Sequence, residues 1–160
     1  MMEEKRGDGP MLHLRSYRFG FDKKGLGLFL VMLFPNIVWV LFPTSFDIFK
    51  KPTVTPTLDL VLEAFRWILV VTQCFLINGV RTTPFKVRSF FTVTGLLLMY
   101  LLGWSFYYAG FVNPVTILIL CLAPCAAFLV FAAASENIFA LVASAVFAVA
   151  HFLQCVLNYL

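Results

Sequence analysis

The sequence predicts an all-α membrane protein: a bundle of five transmembrane helices with its N-terminus in the cytoplasm and its C-terminus outside. Hydrophobic residues make up 61% of the 160 residues and charged residues only 12%, whereas a soluble domain is about 45–50% apolar. Five apolar segments are each long enough to cross a bilayer as a helix. Basic residues lie mainly at one end of these segments, which sets the direction of the bundle.

Residues 1–24 contain charges of both signs, Gly and Pro but no apolar run, and they predict a polar cytoplasmic tail. Residues 25–160 form the predicted transmembrane domain. Its five spans are 25–42, 58–78, 89–110, 114–134 and 138–158. Proline, glycine or short polar runs separate these spans. The last two connections are so short that the third, fourth and fifth helices should pack as antiparallel neighbours.

Basic residues are concentrated before the first span and between the second and third, at Lys5, Arg6, Arg15, Arg18, Lys23, Lys24, Arg81, Lys86 and Arg88. The connection between the first two spans has only Lys50 and Lys51. By the positive-inside rule, this bias predicts a cytoplasmic N-terminus and an external C-terminus. The lack of an Asn-x-Ser/Thr sequon and of a targeting signal favours a multi-pass protein of a bacterial cytoplasmic membrane.

Composition and motifs also exclude several functions. The net charge of +4 comes from basic residues that flank apolar segments, where they contact anionic headgroups, so no nucleic-acid partner is expected. Cys74, Cys121, Cys125 and Cys155 lie within apolar segments, without His or carboxylate at ligand spacing. We therefore expect packing cysteines, no metal site and no cofactor. No nucleotide fingerprint, phosphate loop or Ser nucleophile motif is found, so no catalytic residue is assigned.

The second span carries a polar stripe in the stretch LDLVLEAFRWILVVTQC. Asp59, Glu63, Arg66 and Gln73 fall within an arc of about 80°, at about 100° per residue. Charges inside a bilayer cost about 2.5–3.5 kcal/mol each, so this stripe should face the bundle interior and its charges should pair. Glu63 and Arg66 are three residues apart and can pair within the helix. Asp59 is expected to favour the helix dipole, because it lies at the helix start.

The fifth span carries a second polar stripe, formed by Ser144, His151, Gln154, Cys155 and Asn158 on a face of about 100°. The two stripes should face each other. Other spans supply polar or aromatic side chains at similar depth. The sequence thus predicts a polar, aromatic-lined pocket in the outer half of the membrane. Its predicted ligand-binding residues are Asn36, Trp39, Glu63, Arg66, Tyr100, Trp104, His151 and Gln154.

Three resemblances accompany these patterns. The run Asp22-Lys23-Lys24-Gly25 leading into LFPNIVW resembles small polytopic membrane proteins of bacterial genomes and implies no particular activity. The five-helix layout and the length are similar to those of the tryptophan-rich sensory and translocator proteins, which implies an intramembrane pocket for porphyrins or sterols. Glu63-x-x-Arg66 and Phe147-x-x-x-His151 resemble parts of the CAAX-protease-like intramembrane peptidases. That resemblance implies water activation by Glu63 with help from His151.

Functions of three different classes remain as expectations. The favoured one is binding or transport of a small amphipathic or anionic molecule, with Arg66 at its head and aromatic side chains along its apolar part. The second is a non-catalytic structural or interaction subunit, either a homo-oligomer or bound to another membrane protein, in which Glu63, Arg66 and His151 satisfy one another. The third is an intramembrane glutamate/histidine peptidase, which requires water to reach Glu63 and His151 together. In each case the lipid bilayer is the surrounding partner.

Overall fold

The computed structural model describes residues 17–50, 52–80 and 85–160. Within these ranges the chain forms five α-helices: α1 (Lys23–Leu41), α2 (Pro56–Cys74), α3 (Val87–Tyr108), α4 (Pro114–Ala134) and α5 (Ile138–Tyr159). Two short strands, β1 (Tyr17–Phe19) and β2 (Leu76–Asn78), and one 3₁₀ turn (Ile48–Lys50) complete the described structure. The predicted all-helical class is therefore confirmed, with one small sheet added.

Four of these helices, α1, α3, α4 and α5, are long and apolar enough to cross a bilayer. This indicates a membrane-embedded protein. Helix α2 also has 19 residues, which extend about 28 Å at about 1.5 Å per residue. It is not among the four, because it carries the charged residues Asp59, Glu63 and Arg66.

Each predicted span corresponds to one helix, and most boundaries agree to within two residues, whereas the end of the second span is four residues off. Helix α1 begins at Lys23 rather than at 25, because the Asp22 side chain caps it by accepting hydrogen bonds from the first backbone N–H groups (2.9 and 3.2 Å). Helix α2 ends at Cys74 rather than at 78, because the chain turns there into β2. Strand β1, which lies within the predicted tail, pairs antiparallel with β2. Residues 1–16, and with them Lys5, Arg6 and Arg15, lie outside the described residues, as do Lys51 and Arg81.

The helices form a ring in the order α1, α2, α5, α4, α3. Contacts are most extensive between α3 and α4, α4 and α5, and α5 and α2, whereas α1 closes the ring with fewer contacts to α2 and α3. The predicted neighbours α3, α4 and α5 are confirmed. Gly103 allows the close approach of α3 to α4, since a Cβ at this position would lie 2.9 Å from Ile119 Cγ2.

One end of the bundle, which we call the hairpin end, consists of β1, β2 and the turn between α4 and α5. Asn137 caps α5, and its Nδ2 donates to two backbone carbonyls, one in α2 and one in β2 (2.8 and 2.7 Å). The Asn78 Nδ2 and the Tyr17 hydroxyl both donate to the Glu136 carbonyl (2.9 and 3.2 Å). The strands and the turn are thus fastened together by hydrogen bonds to the backbone. We call the opposite end, which carries residues 42–55, the loop end.

Candidate functional site

A cavity of about 390 Å³ lies between the five helices, in the half of the bundle nearer the loop end. It is lined by Phe29, Met32, Leu33, Asn36, Trp39, Val40, Phe49, Arg66, Leu69, Tyr100, Trp104, Ile117, Leu120, Cys121, Pro124, Phe128, Phe147, His151, Gln154, Cys155 and Tyr159. Of the eight residues predicted from the sequence, all except Glu63 line this cavity. The structure therefore brings seven of the predicted residues together on four helices.

Asn36 joins α1 to α3 at the cavity wall. It follows Pro35, which has no N–H to continue the helical hydrogen bonds, yet α1 runs on to Leu41. The Asn36 Nδ2 donates to Met32 O (2.8 Å) and to the Tyr100 hydroxyl (2.9 Å). The same hydroxyl donates to Met32 O at 3.3 Å. Asn36 thus supports its own helix and fixes Tyr100 in the wall.

Trp104 supplies an unpartnered donor to the cavity. Its side chain lines the cavity and is only 7% exposed, and its Nε1 has no acceptor in good hydrogen-bond geometry, although the Tyr100 side chain interacts with it. Tyr100 lies edge-on to the indole with 6.4 Å between ring centroids, but its hydroxyl is engaged with Asn36 and Met32 O. A buried donor without an acceptor costs about 1–3 kcal/mol. An acceptor brought in by a ligand would remove this cost.

The polar faces of α2 and α5 meet, as the two stripes predicted. Gln154 Nε2 donates to Asp59 Oδ1 at 2.9 Å, so the carboxylate in the first turn of α2 is paired across the interface. The Asn158 Nδ2 donates to Thr55 Oγ1 (2.8 Å), at the start of α2. Ser144, which is fully buried, bonds within its own helix to Ala140 O (2.7 Å).

His151 lies in the wall formed by α5. Its ring stacks on Phe147, with 5.3 Å between centroids and 17° between planes. Its backbone carbonyl accepts a hydrogen bond from Cys121 Sγ at 3.7 Å, and Cys121 packs with Cys155 in a small apolar cluster. All four cysteines are buried free thiols. Among the described residues, no group of three or more His, Cys, Asp or Glu is placed to hold a metal ion.

The interior position predicted for Glu63 is wrong, and Arg66 lies only partly inside, at the edge of the cavity. Arg66 Nη1 does bond Glu63 Oε2 (2.7 Å), but about half of each side chain is exposed (55% and 51%). Trp67 Nε1 donates to the other Glu63 oxygen at 2.9 Å. The buried side of α2 is centred on Leu62 and Leu69, each 2% exposed. Glu63 lies about 110° around the helix from them, whereas Arg66 lies only about 50° away and reaches the cavity edge.

This placement separates the two residues on which the peptidase expectation depends. His151 lines the cavity, whereas Glu63 does not. Both Glu63 oxygens already accept hydrogen bonds, from Arg66 and from Trp67. The subunit alternative expected Glu63, Arg66 and His151 to satisfy one another. Arg66 does bond Glu63, but the His151 ring stacks on Phe147 instead.

The connection from α1 to α2 covers the cavity, a feature that sequence reasoning missed. We call its described residues, 42–50 and 52–55, the roof loop. Asp47 accepts hydrogen bonds from Trp39 Nε1 and from the Tyr107 hydroxyl, both at 2.8 Å. The Phe49 ring stacks on Tyr107 and meets Tyr159 edge-on, with centroid distances of 5.1 and 5.0 Å. The signal was the run SFDIF, an isolated carboxylate between aromatic residues, which is typical of a loop that turns inward.

Comparison with protein-family models, with curated proteins and with solved structures finds no match for this chain. The cavity combines aromatic walls with a few polar groups from separate helices, as small-molecule sites do. Arg66 supplies a positive charge at its edge, and Trp104 supplies a free donor inside it. Asn36, His151 and Gln154 add amide and imidazole groups to the same walls.

Proposed function

We propose that α2 crosses the bilayer together with the four apolar helices. It is as long as α1. Hydrogen bonds join α2 to α5 near its start, between Asp59 and Gln154, and to the α5 cap Asn137 near its end. Its charged groups are paired, Asp59 with Gln154 and Glu63 with Arg66, which lowers the cost of insertion. The hairpin end carries Arg18, Lys23, Lys24, Lys86 and Arg88. By the positive-inside rule this end faces the cytoplasm and the C-terminus lies outside, in a bacterial cytoplasmic membrane.

We propose further that the protein binds or transports a small amphipathic or anionic molecule in the cavity. The observation that carries this proposal is the cavity of about 390 Å³, whose wall includes Trp104 Nε1 without a well-placed acceptor. Buried N–H groups ordinarily have a partner, and a ligand acceptor in this cavity would supply one. Arg66, at the edge of the same cavity, supplies the charge that favours an anionic group.

Native mass spectrometry of gently solubilised protein tests this function. Cys155→Phe fills part of the cavity, whereas Ala145→Phe adds the same ring to an exposed position on the same helix. We expect a bound small molecule or lipid on the wild type and on Ala145→Phe, and its loss from folded Cys155→Phe. A wild type that retains no bound mass, or a Cys155→Phe variant that retains the same mass, would contradict the proposal.

A second candidate, a non-catalytic interaction subunit, is favoured by one observation. Glu63, Arg66 and Trp67 form a hydrogen-bonded group whose side chains are exposed on α2. Charges that face lipid are costly, and a partner helix that covered them would lower that cost. The mass of the protein in lipid nanodiscs separates the two functions. A complex of defined stoichiometry that Glu63→Gln abolishes favours the subunit, and a monomer with bound ligand favours the binding function.

A further inference from the structure

The roof loop closes the cavity toward water at the loop end. Asp47 fastens it to α1 through Trp39 and to α3 through Tyr107 (both 2.8 Å). Asn158 on α5 accepts hydrogen bonds from the other end of the loop (2.9 and 2.8 Å). Between these points the Phe49 ring lies against Trp39, Trp104, Tyr107 and Tyr159, all within 6.2 Å between centroids. A solute that arrives from the water at this end meets a hydrogen-bonded aromatic cover.

The hairpin end is also closed. Helices α1 and α2 approach so closely that the Gln73 carbonyl leaves no room for a Cβ at Gly25. Asn137 ties the start of α5 to α2 and to β2 (2.8 and 2.7 Å). The pocket beneath this contact is separate from the main cavity and has a volume of only about 40 Å³. Access through this end is therefore blocked.

On the side of the bundle, the exposed part of the cavity wall lies on α1 and α2. Its exposed lining residues are Asn36 and Val40 on α1 and Arg66 on α2, and Val40 is 66% exposed. At this level α1 is hydrogen-bonded to α3 through Asn36, and α2 is hydrogen-bonded to α5 through Asp59. The α1 cap Asp22 donates its N–H to Cys74 O of α2 (2.8 Å) at the hairpin end, but within the described ranges no hydrogen bond joins the two helices at the level of the cavity. In a bilayer this side of the bundle faces lipid.

We infer that the cavity opens laterally into the bilayer between α1 and α2 and takes a single-chain anionic amphiphile dissolved in the membrane. This inference rests on the proposed function and names its ligand class. The volume sets the size class: about 390 Å³ lies near the lower end of the range of small-molecule pockets, about 300–1,000 Å³. It suits a single-chain amphiphile such as an acid with about a dozen carbons better than a two-chain phospholipid.

Arg66 is placed to bind the acid head. Helical side chains lean toward the N-terminus of their helix, so Arg66 reaches from the middle of α2 toward the loop end, where Glu63 accepts its Nη1 (2.7 Å). A guanidinium has five donors in a planar fork and binds carboxylate or phosphate through two of them. Trp67 donates to the second Glu63 oxygen (2.9 Å) and so fixes the carboxylate. Glu63 is therefore a positioning residue that keeps Arg66 at the opening. The other guanidinium donors of Arg66 remain for the ligand.

The apolar chain then lies in the part of the cavity nearer the hairpin end. Phe29, Leu69, Phe128 and Phe147 line this part and carry no polar side-chain atoms. At the level of the head, Trp104 Nε1 provides a further donor. The order of polar and apolar walls along the cavity thus matches an amphiphile with its head toward the loop end.

Photolabelling in vesicles tests this inference with dodecanoate and dodecanol that carry the same diazirine in the chain. The readout is the label on Phe128, a cavity residue of α4, relative to the label on Leu122, an exposed residue of the same helix (7% and 45% exposed). We expect this ratio to be about tenfold higher for dodecanoate than for dodecanol, as for one charge-assisted hydrogen bond. Arg66→Gln should remove the difference, and Arg88→Gln, which makes the same charge change on α3 at the hairpin end, should retain it.

Each outcome decides one claim. Equal ratios for dodecanoate and dodecanol in the wild type would overturn the anionic ligand class. Label on Leu122 alone would overturn lateral access. If either result came with a bound mass that Cys155→Phe removes, the cavity would still be a binding site, and only its ligand class or route would be wrong. Monododecyl phosphate with the same diazirine identifies the source of the head: a higher ratio than dodecanoate indicates a phosphate, and a lower ratio indicates a carboxylate.

Discussion

The two ends of the bundle differ in the partners of their hydrogen bonds. At the hairpin end, Asn137, Asn78 and Tyr17 donate to backbone carbonyls, and the strands pair directly. At the loop end, side chains bond side chains, as Asp47 does with Trp39 and Tyr107. Both ends also contain buried polar atoms without a partner: Trp104 Nε1 at the loop end, and the Gln73 amide and Ser135 Oγ at the hairpin end. Hydrogen bonds to backbone carbonyls fix the path of the chain at the hairpin end, whereas hydrogen bonds between side chains position the residues around the cavity at the loop end. The hairpin end therefore holds the fold together, and the loop end holds the site.

The largest effect on stability is expected from Asn137→Ala. The change removes an N-cap and leaves two carbonyls without their side-chain donor. We expect a loss of about 3 kcal/mol in the free energy of unfolding, from one cap and two buried hydrogen bonds. Unfolding by SDS in mixed micelles measures it. Asn113→Ala is the matched control, because Asn113 caps α4 but its side chain bonds only within that first turn.

Asn113→Ala should cost only about 1 kcal/mol, the value of a cap alone. Equal losses for the two asparagines would show that the hairpin end gains nothing from the bonds that Asn137 makes to α2 and β2.

A smaller loss of stability is expected from Asp47→Ala at the loop end. The variant leaves the Trp39 indole and the Tyr107 hydroxyl without their shared acceptor. Because the roof loop lies near water that can replace these bonds in part, we expect a loss of about 2 kcal/mol. Trp39 should also become more accessible to acrylamide, measured as fluorescence quenching in a background that carries Trp67→Phe and Trp104→Phe, in which Trp39 is the remaining tryptophan. Unchanged quenching would show that Asp47 does not hold the roof in place.

The smallest effect on stability is expected from Trp104→Phe. The lost ring contacts are offset by removal of an unpartnered donor, so the free energy of unfolding should change by about 1 kcal/mol or less. Ligand retention in native mass spectra should nevertheless fall. Tyr107→Phe, a neighbour on the same helix whose hydroxyl does have a partner, is the control. A Trp104→Phe loss well above that of Tyr107→Phe would mean that the indole N–H is satisfied in the folded protein.

The sequence predicted the helices and seven of the residues that line the cavity for a simple reason. Bilayer thickness sets helix length, and a period of about 3.6 residues places side chains on faces. Asn36, Tyr100 and His151 were therefore found from depth and helical phase alone. The rotation of α2 about its axis was not predicted from the sequence. Leu62 and Leu69 pack against partners from distant segments, and this packing turns Glu63 outward.

Two further features depend on contacts that periodicity does not encode. The pairing of β1 with β2 joins Tyr17 to Asn78 across two whole helices, and three-residue strands give no pattern that identifies their partner. The roof loop depends on Asp47, whose partners Trp39 and Tyr107 lie on two different helices. A lone carboxylate in a connection is ordinarily solvated, and only the aromatic residues on either side of it marked this one.

The most direct test of the central claim, that the loop-end cavity is a ligand site, is an NMR titration of the three indole N–H groups. Trp39 is bonded to Asp47, Trp67 to Glu63, and Trp104 to no acceptor. In ¹⁵N-labelled protein in zwitterionic micelles, adding dodecanoate should move the Trp104 indole proton downfield as it gains an acceptor, while the Trp39 signal stays in place. A Trp104 signal that does not move, or that moves no more than that of Trp39, would contradict the account.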